Sequence, residues 1–208
     1  MKLFQFDFDG CMFDSLPPIY LSMRHVFAIC GLTPPSLLTY LTEPRAPYAG
    51  FYHKHGVTLS EEEIHKVFHE KMRRGPERWL FPDVVPQVKK LADKGHVLSI
   101  VSGNDEAVIS RVLMKAGIYG AFEAIKGGVE HKTDAFASIA EKFRLHPKDS
   151  FVIGDAALDM DYGREAGMRP LGIIRYPQLL NGDTGRLEQA LIAAGAEKCI
   201  GSLAELSI

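Results

Sequence analysis

Two aspartates, Asp7 and Asp9, directly follow the first apolar run of the chain, and Gly10 comes next. Carboxylates two positions apart can divide nucleophilic attack and proton transfer between them. They can also place carboxylate and backbone oxygens on one hard cation. Because aspartate and glycine are also common in the turn that ends a strand, this motif alone leaves both a catalytic and a structural interpretation open.

A second group of candidates lies in the segment VSGN, at the end of another apolar run. It offers the Ser102 hydroxyl and the backbone amides of Gly103 and Asn104 at the start of an expected helix. The N-terminus of a helix favours an anion, so these groups are candidates to bind one. Ordinary helix capping is the alternative, and Asn104 could do both.

Further charged candidates follow two more apolar runs. Lys132 stands at the head of an expected helix, where the positive end of the helix dipole disfavours a cation unless an anionic partner lies nearby. The segment IGDAALD brings Asp155 and then Asp159, which is also a candidate to cap its own helix. Together with Asp7 and Asp9, these residues form a set suited to holding both a cation and an anionic group.

The elements that must position these residues alternate between apolar runs and helical patterns, which is typical of βαβ units in a parallel sheet. The predicted strands are Leu3 to Phe6, Val97 to Val101, Ala124 to Lys126, Phe151 to Ile153 and Leu171 to Ile174. Helices are expected from about Asn104 or Asp105 to Gly117, around Phe136 to Phe143, and after Asp159 as far as Gly167. We therefore predict an α/β fold, an open Rossmann-like parallel sheet with helices on both faces. The functional residues would meet at the carboxyl ends of its strands.

The stretch from Leu16 to Leu80 interrupts this alternation and is far longer than one crossover connection requires. It contains an amphipathic stripe from Ile19 to Cys30 and a second helix that begins with Ser60 and Glu63 in capping-box spacing. The proline-rich segment between them, PPSLLTYLTEPRAP, is expected to turn repeatedly. We predict a small helical cap domain at residues 16–80 and an α/β core at residues 1–15 and 81–208. A long surface excursion is the alternative.

The composition of the 208-residue chain narrows the class of function. A net charge of −2 argues against nucleic acid or an anionic membrane as a partner. We find neither a run long enough to span a membrane nor room for a signal peptide, and the three cysteines are widely spaced. We therefore expect reduced thiols in a cytoplasmic protein. The sequence gives no signal for an oligomeric state.

Taken together, these motifs resemble those of the haloacid-dehalogenase superfamily. DFDGCMFDS is similar to the first motif of the family, VSGN to the second, Lys132 to the third and GDAALD to the fourth, in the family's order. The predicted insert lies where the family carries a helical C1-type cap, and LFPDVVPQVKKLADKG resembles the segment that leads back to the core. The resemblance covers nearly the whole chain and points to the branch of phosphoglycolate phosphatases and beta-phosphoglucomutases.

The resemblance implies a Mg²⁺-dependent phosphatase that acts on a small phosphorylated metabolite. Asp7 would be the nucleophile that forms an aspartyl-phosphate, and Asp9 would be the general acid and base. Mg²⁺ would be held by the Asp7 carboxylate, the Asp9 backbone carbonyl and the Asp155 carboxylate. Lys132, with Ser102 and the amides of Gly103 and Asn104, would bind the phosphate. Asp159 would position Lys132 or the metal shell, and Arg45 in the cap is a weaker candidate to contact substrate.

Several alternatives remain open at the level of sequence. The dehalogenating members lack a second aspartate at the position of Asp9, so its presence favours phosphoryl transfer. The family's phosphosugar mutases carry a histidine at the position of Ile19, which disfavours that activity here. A phospho-aspartate switch resembling receiver domains would have no helical insert, and nothing favours a binding protein without turnover. The sequence leaves the choice between phosphoglycolate, a sugar phosphate, a nucleotide and pyrophosphate open.

Overall fold

The central strands of the sheet form where the sequence is apolar on both faces. The computed structural model describes residues 1–43, 48–73 and 79–206. The strands at Leu3–Phe6, Val97–Val101 and Ser150–Gly154 are buried along their whole length. Near-continuous burial is what a parallel sheet covered by helices on both faces requires.

The described residues form six strands and nine α-helices. The strands are β1 (Leu3–Phe6), β2 (Val97–Val101), β3 (Ala124–Lys126), β4 (Ser150–Gly154), β5 (Arg169–Ile173) and β6 (Lys198–Ile200). The helices are α1 (Leu16–Ile29), α2 (Leu37–Thr42), α3 (Tyr48–Lys54), α4 (Glu61–Arg73), α5 (Val84–Asp93), α6 (Glu106–Lys115), α7 (Thr133–Lys142), α8 (Ala157–Glu165) and α9 (Thr184–Ala193). Short 3₁₀ turns lie at Tyr119–Ala121, Pro147–Asp149, Pro177–Leu180 and Leu203–Glu205.

All strands of the sheet are parallel, in the order β3-β2-β1-β4-β5-β6. β1 lies between β2 and β4, so the chain reverses its direction of travel across the sheet beside β1. In open α/β sheets, ligands bind at such a switch point, outside the carboxyl ends of the strands. The predicted fold class and its five predicted strands are confirmed, and β6 is an edge strand that we did not predict.

Helices cover the two faces of the sheet with separate apolar clusters. On one face, Val88 and Leu91 of α5 and Ile109 of α6 pack with Phe4 and Phe6 of β1. The other face is covered by helices α7 and α8, whose Phe136, Ile139 and Tyr162 pack against Leu3, Val97 and Val152. The alternation of β1 side chains between the two clusters follows from the two-residue repeat of a strand.

Helices α1 to α4 fall within the segment that we predicted to be a helical cap. The capping box at the start of α4 is present, because the Ser60 backbone N–H donates to Glu63 Oε2 at 2.8 Å and Glu63 N–H donates to Ser60 Oγ at 3.3 Å. The proline-rich segment, however, contains helix α2, whose first turn is capped by Ser36. We expected this segment to turn repeatedly and did not predict this helix.

The cap helices share an apolar cluster with the core rather than standing apart from it. Leu37 and Leu41 of α2 belong to the same buried cluster as Leu187 and Leu191 of α9. The two chain crossings between the regions also pair, since Asp14 N–H donates to the Trp79 carbonyl at 2.8 Å. The division at residues 15–16 and 80–81 therefore stays a prediction. No described helix is long and apolar enough to cross a bilayer.

Candidate active site

Asp7 lies where β1 ends, with its carboxylate buried at the carboxyl edge of the sheet. Its backbone N–H still pairs with the Ile153 carbonyl at 2.8 Å, so β4 fixes its position. The carboxylates of Asp7, Asp155 and Asp159 offer oxygens that all lie within 4.8 Å of one another, and all three residues are buried. The structure thus brings together aspartates that the sequence separates by roughly 150 positions.

Lys132 links two members of this cluster. Its Nζ donates hydrogen bonds of 2.6 Å to Asp7 Oδ1 and 2.6 Å to Asp159 Oδ1. The side chain of Lys132 is only 10 % exposed, and those of Asp7 and Asp159 are 9 % and 6 % exposed. We expected an anionic partner for a lysine at the start of a helix, and Lys132 has two, Asp7 and Asp159.

Burial and the neighbouring opposite charges shift the pKa values of Asp7 and Lys132 in opposite directions. Burial raises the pKa of Asp7, Lys132 opposes it, and the carboxylates of Asp159 and Asp9 add to the rise, so that the pKa is about 6. For Lys132, burial would lower the pKa, but the charges of Asp159 and Asp7 outweigh burial and raise it. The ammonium group therefore remains charged across the physiological pH range.

Two glycines make room for this cluster. A Cβ on Gly10 would collide with the Asp155 carboxylate, and one on Gly154 would lie 2.5 Å from the side chain of Asp159. Gly10 also adopts φ +75°, a left-handed conformation that glycine accepts at little cost. The glycines of the first and fourth motifs thus allow the backbone to approach the carboxylates of Asp155 and Asp159 closely.

Asp9 lies beside the cluster and has a partner that we did not predict. Asn104 Nδ2 donates a 2.7 Å hydrogen bond to Asp9 Oδ2. We assigned to Asn104 only a backbone amide for phosphate or a capping role. The cap of α6 is instead Asp105, whose carboxylate accepts from the N–H groups of Ala107 and Val108.

The remaining predicted residues are placed as follows. Ser102 is buried at the end of β2 and accepts a 3.3 Å hydrogen bond from Asn104 N–H, while Gly103 is exposed beside it. Asp159 lies in the first turn of α8, which begins at Ala157, so our expectation that this helix follows Asp159 was wrong by two residues. Arg45 lies outside the described residues.

An open cleft of about 900 Å³ joins the cluster to the cap helices. Its core wall contains the aspartates, Lys132 and Ser102. Its cap wall carries the aromatic and histidine side chains of α3 and α4, which are Tyr48, Phe51, Tyr52, His65, Phe68 and His69. Sequence reasoning missed these residues, although the spacing of four between His65 and His69 places them on one helix face.

The chain is similar to known proteins in sequence and in fold. The family model described as haloacid dehalogenase-like hydrolase matches residues 5–173, most of the chain. A phosphoglycolate phosphatase from Pasteurella multocida is 28% identical over 191 residues, covering 83% of this chain and 85% of the relative. One from Aquifex aeolicus is 23% identical over 181 residues, covering 81% and 83%.

Solved structures show the same fold at low sequence identity. A haloacid dehalogenase-like family protein from Streptococcus pneumoniae has a TM-score of 0.71 at 21% identity, covering 99% of this chain and 96% of its own. A protein described as a beta-phosphoglucomutase from Bacteroides vulgatus has a TM-score of 0.74 at 20% identity, covering 98% and 84%. The chain therefore belongs to the haloacid dehalogenase-like hydrolase family, and it is an enzyme of the phosphatase kind.

Proposed function

We propose that this phosphatase hydrolyses a small phosphate monoester with Mg²⁺, through a phosphoryl group carried on Asp7. The observation that supports this most directly is the cluster at the end of β1. The Asp7 carboxylate lies beside an open cleft, within 4.8 Å of two further carboxylates and bonded to Lys132. The relatives of this chain described above are named phosphoglycolate phosphatases, so phosphoglycolate is the first ester to test.

The residues present fit a magnesium ion. Three buried carboxylates face one ammonium group, so the cluster has an excess of negative charge and offers the hard oxygen ligands that Mg²⁺ prefers. Asp7 and Asp155 are the proposed carboxylate ligands, with the Asp9 backbone carbonyl as a third. Because Asp159 is hydrogen bonded to Lys132, we assign it to positioning that lysine. When bound, the ion would neutralise charge on the phosphoryl oxygens.

In the first step an Asp7 oxygen attacks phosphorus and the bond from phosphorus to the alcohol oxygen breaks. Asp9 donates its proton to that leaving oxygen. In the second step Asp9 takes a proton from water, whose oxygen attacks phosphorus and releases inorganic phosphate and the free Asp7 carboxylate. The Asn104 amide would hold the Asp9 carboxylate in one orientation through both transfers.

Lys132 and the end of β2 would hold the phosphate during these steps. A carboxylate and a phosphate oxygen about 4 Å apart repel by roughly 4 kcal/mol per pair of unit charges at an effective dielectric near 20. The Lys132 ammonium opposes this repulsion from its place against Asp7. We assign the Ser102 hydroxyl and the backbone amides of Gly103 and Asn104 to the remaining phosphate oxygens.

Phosphate release from a panel of phosphate monoesters tests the proposal, with and without Mg²⁺, in the wild type and Asp7→Asn. We expect turnover that needs Mg²⁺ and falls at least about 10³-fold in the variant, because removal of a nucleophile eliminates the covalent route. Equal activity in both proteins would reject Asp7 as the nucleophile. Isomerisation of a sugar phosphate without phosphate release would instead support a mutase, and stable labelling of Asp7 without release would support a phospho-aspartate switch.

We also place the protein in the cytoplasm. Cys11, Cys30 and Cys199 are all free thiols, and Cys11 is buried within the first motif. Free thiols persist in reducing compartments, which supports this placement. Fractionation of the native cells with an antibody against the chain would test it.

A further inference from the structure

The cap side of the cleft carries a continuous group of rings, which we call the ring wall and define as Tyr48, Tyr52, His65 and His69. The ring centroids of Tyr48 and His65 are 4.5 Å apart, with 35° between the ring planes. His65 and His69 stack at 5.6 Å and 14°. The hydroxyls of Tyr48 and Tyr52 are 3.2 Å apart. All four residues line the cleft that contains Asp7.

Packing of the cap interior does not account for the whole ring wall. Tyr52 of the ring wall and the neighbouring Phe68 are buried, and Phe68 contacts Tyr48 edge-on with centroids 5.9 Å apart. Tyr48 and His65, by contrast, are partly exposed, and His69 is exposed. The buried rings of Tyr52 and Phe68 thus hold Tyr48 in place. Tyr48, His65 and His69 keep surface available to a ligand in the cleft. Flat, partly exposed rings of this kind are platforms for stacking.

The charge of the cleft disfavours a second anionic group on the substrate. Among the described residues that line it, Lys132 is the only lysine or arginine, and Asp7 and Asp159 already occupy its ammonium group. Asp105 and Glu130 add negative charge to the same lining. The carboxylate of a small acid such as phosphoglycolate would therefore meet no arginine or lysine from the described part of the cap. Residues 44–47 and 74–78 lie outside that part.

The size and lining of the cleft favour a larger, flat group. About 900 Å³ is near the upper end of the volumes that pockets for small organic ligands have, and a two-carbon acid would leave most of it to solvent. Val108 and Val112 of α6 line the core side of the same cleft with apolar surface, and Met72 of α4 adds a thioether on the cap side. A ring held against the ring wall would therefore share the cleft with further apolar surface.

We propose that the ring wall binds a heteroaromatic ring in the alcohol part of the substrate, so that the preferred substrate is a phosphate monoester of the nucleoside 5′-monophosphate type. This rests on the proposed phosphatase function and names its substrate class. The imidazole nitrogens of His65 and His69 can donate or accept hydrogen bonds at the edge of such a ring, which suits a base with mixed donors and acceptors.

Specificity constants for nucleoside 5′-monophosphates, phosphoglycolate and glycerol phosphate test this, measured with Mg²⁺. We expect kcat/KM for the best nucleotide to exceed that for phosphoglycolate by about tenfold or more, the scale of one base stacked on an aromatic side chain. In Tyr48→Leu and in His65→Ala this ratio should fall by about tenfold. Tyr48→Phe keeps the ring and should keep most of the ratio.

His25→Ala is the matched control, since His25 is exposed on α1 and does not line the cleft. It should leave both the ratio and the activity unchanged. Preference for phosphoglycolate, or a ratio that Tyr48→Leu and His65→Ala leave unchanged, would overturn the inference while the proposed phosphatase function stands. If no ester released phosphate, the proposed function would fail. The affinities of the same esters, measured by calorimetry, would then test the role of the ring wall separately from catalysis. That role is rejected if nucleotides bind no more tightly than phosphoglycolate.

Discussion

The side-chain amide of Asn104 and the carboxylate of Asp9 form a 2.7 Å hydrogen bond across 95 positions of sequence. The contact exists because β1 and β2 are neighbours in register, with Phe6 opposite Ile100, so that both chains leave the sheet at the same edge. A carboxylate that transfers protons must point at the reacting oxygen, and this amide fixes one of its oxygens. We therefore regard Asn104 as a positioning residue for Asp9.

Asn104→Leu tests this role with a side chain of similar size that cannot donate. We expect kcat to fall roughly 10- to 100-fold, because misorientation of an acid and base by a fraction of an ångström has effects of that order. KM and the unfolding midpoint should change little, since Asn104 is only partly buried. Steady-state kinetics and thermal unfolding would be compared. A parallel loss of stability and activity would indicate a structural role instead.

The sequence could predict where the central strands end, because a buried parallel sheet requires long apolar runs and brings their carboxyl ends to one edge. That reasoning places Asp7, Ser102 and Asp155 near one another. It could not predict the partner of Asn104, because the choice of hydrogen bond depends on side-chain orientation after the strands pair. Nor could it predict β6, because three residues from Lys198 to Ile200 carry too little pattern.

The cap was harder to predict than the core for a physical reason. Its short helices α2 and α3, of six and seven residues, are stabilised by tertiary packing rather than by long amphipathic repeats. Tyr40 and Leu41 are buried, although the prolines around them suggest only turns. The ring wall depends on the relative placement of α3 and α4, which no local pattern specifies.

Removal of the Lys132 charge is expected to affect both stability and catalysis. In Lys132→Met, the carboxylates of Asp7 and Asp159 would stay buried without their shared cation. Loss of one partner of a buried ion pair costs on the order of 3–5 kcal/mol. We expect a lower free energy of unfolding in metal-free protein, measured by urea denaturation, and partial recovery when Mg²⁺ is added, because the ion would compensate the same charges.

Lys126→Met provides the comparison for Lys132→Met. Lys126 donates to the Ser138 hydroxyl at 2.8 Å in an exposed contact. Loss of that bond should change the free energy of unfolding by less than about 1 kcal/mol, because solvent replaces the partner. If both variants lost equal stability, or if Mg²⁺ raised the free energy of unfolding of Lys132→Met no more than that of Lys126→Met, the charge of Lys132 would not be what stabilises the cluster.

Gly10→Ala should impair the site through Asp155. The new methyl group would collide with the Asp155 carboxylate, and φ +75° is itself unfavourable for alanine. Gly31→Ala has a similar φ of +68° but meets nothing within 4 Å. We expect both variants to lose about 1–2 kcal/mol of stability from backbone strain. Only Gly10→Ala should also lose activity, by tenfold or more, and need more Mg²⁺ for half-maximal rate in a metal titration. Similar Mg²⁺ curves for the two variants would contradict this.

Arg175 ties the first motif to the start of α5 and supports a prediction about pH. Its Nε donates to the Cys11 carbonyl at 2.9 Å, and its Nη1 donates to both Asp83 carboxylate oxygens at 3.0 and 2.8 Å. Burial raises the pKa of Asp83, but hydrogen bonds from Arg175, Ser202 and the Leu203 N–H outweigh it and leave the pKa below its ordinary value. The stabilisation by this carboxylate is therefore complete above the unfolded-state pKa near 3.8 and is lost as the pH falls through the lower folded-state pKa.

Asp83→Asn should accordingly reduce the free energy of unfolding by on the order of 3 kcal/mol near neutral pH, because it leaves the buried Arg175 without its counter-charge. The difference from wild type should stay constant down to about pH 5 and shrink below about pH 4, because the Asp83 carboxylate of the unfolded wild type takes up a proton there and that of the folded protein follows at lower pH. Urea denaturation across this pH range would measure it. Glu197→Gln is the control, since its pair with Arg169 is about 40 % exposed and is expected to contribute less than about 1 kcal/mol. A difference for Asp83→Asn that is no larger than this control, or that grows in acid, would be inconsistent with a buried charge pair at this position.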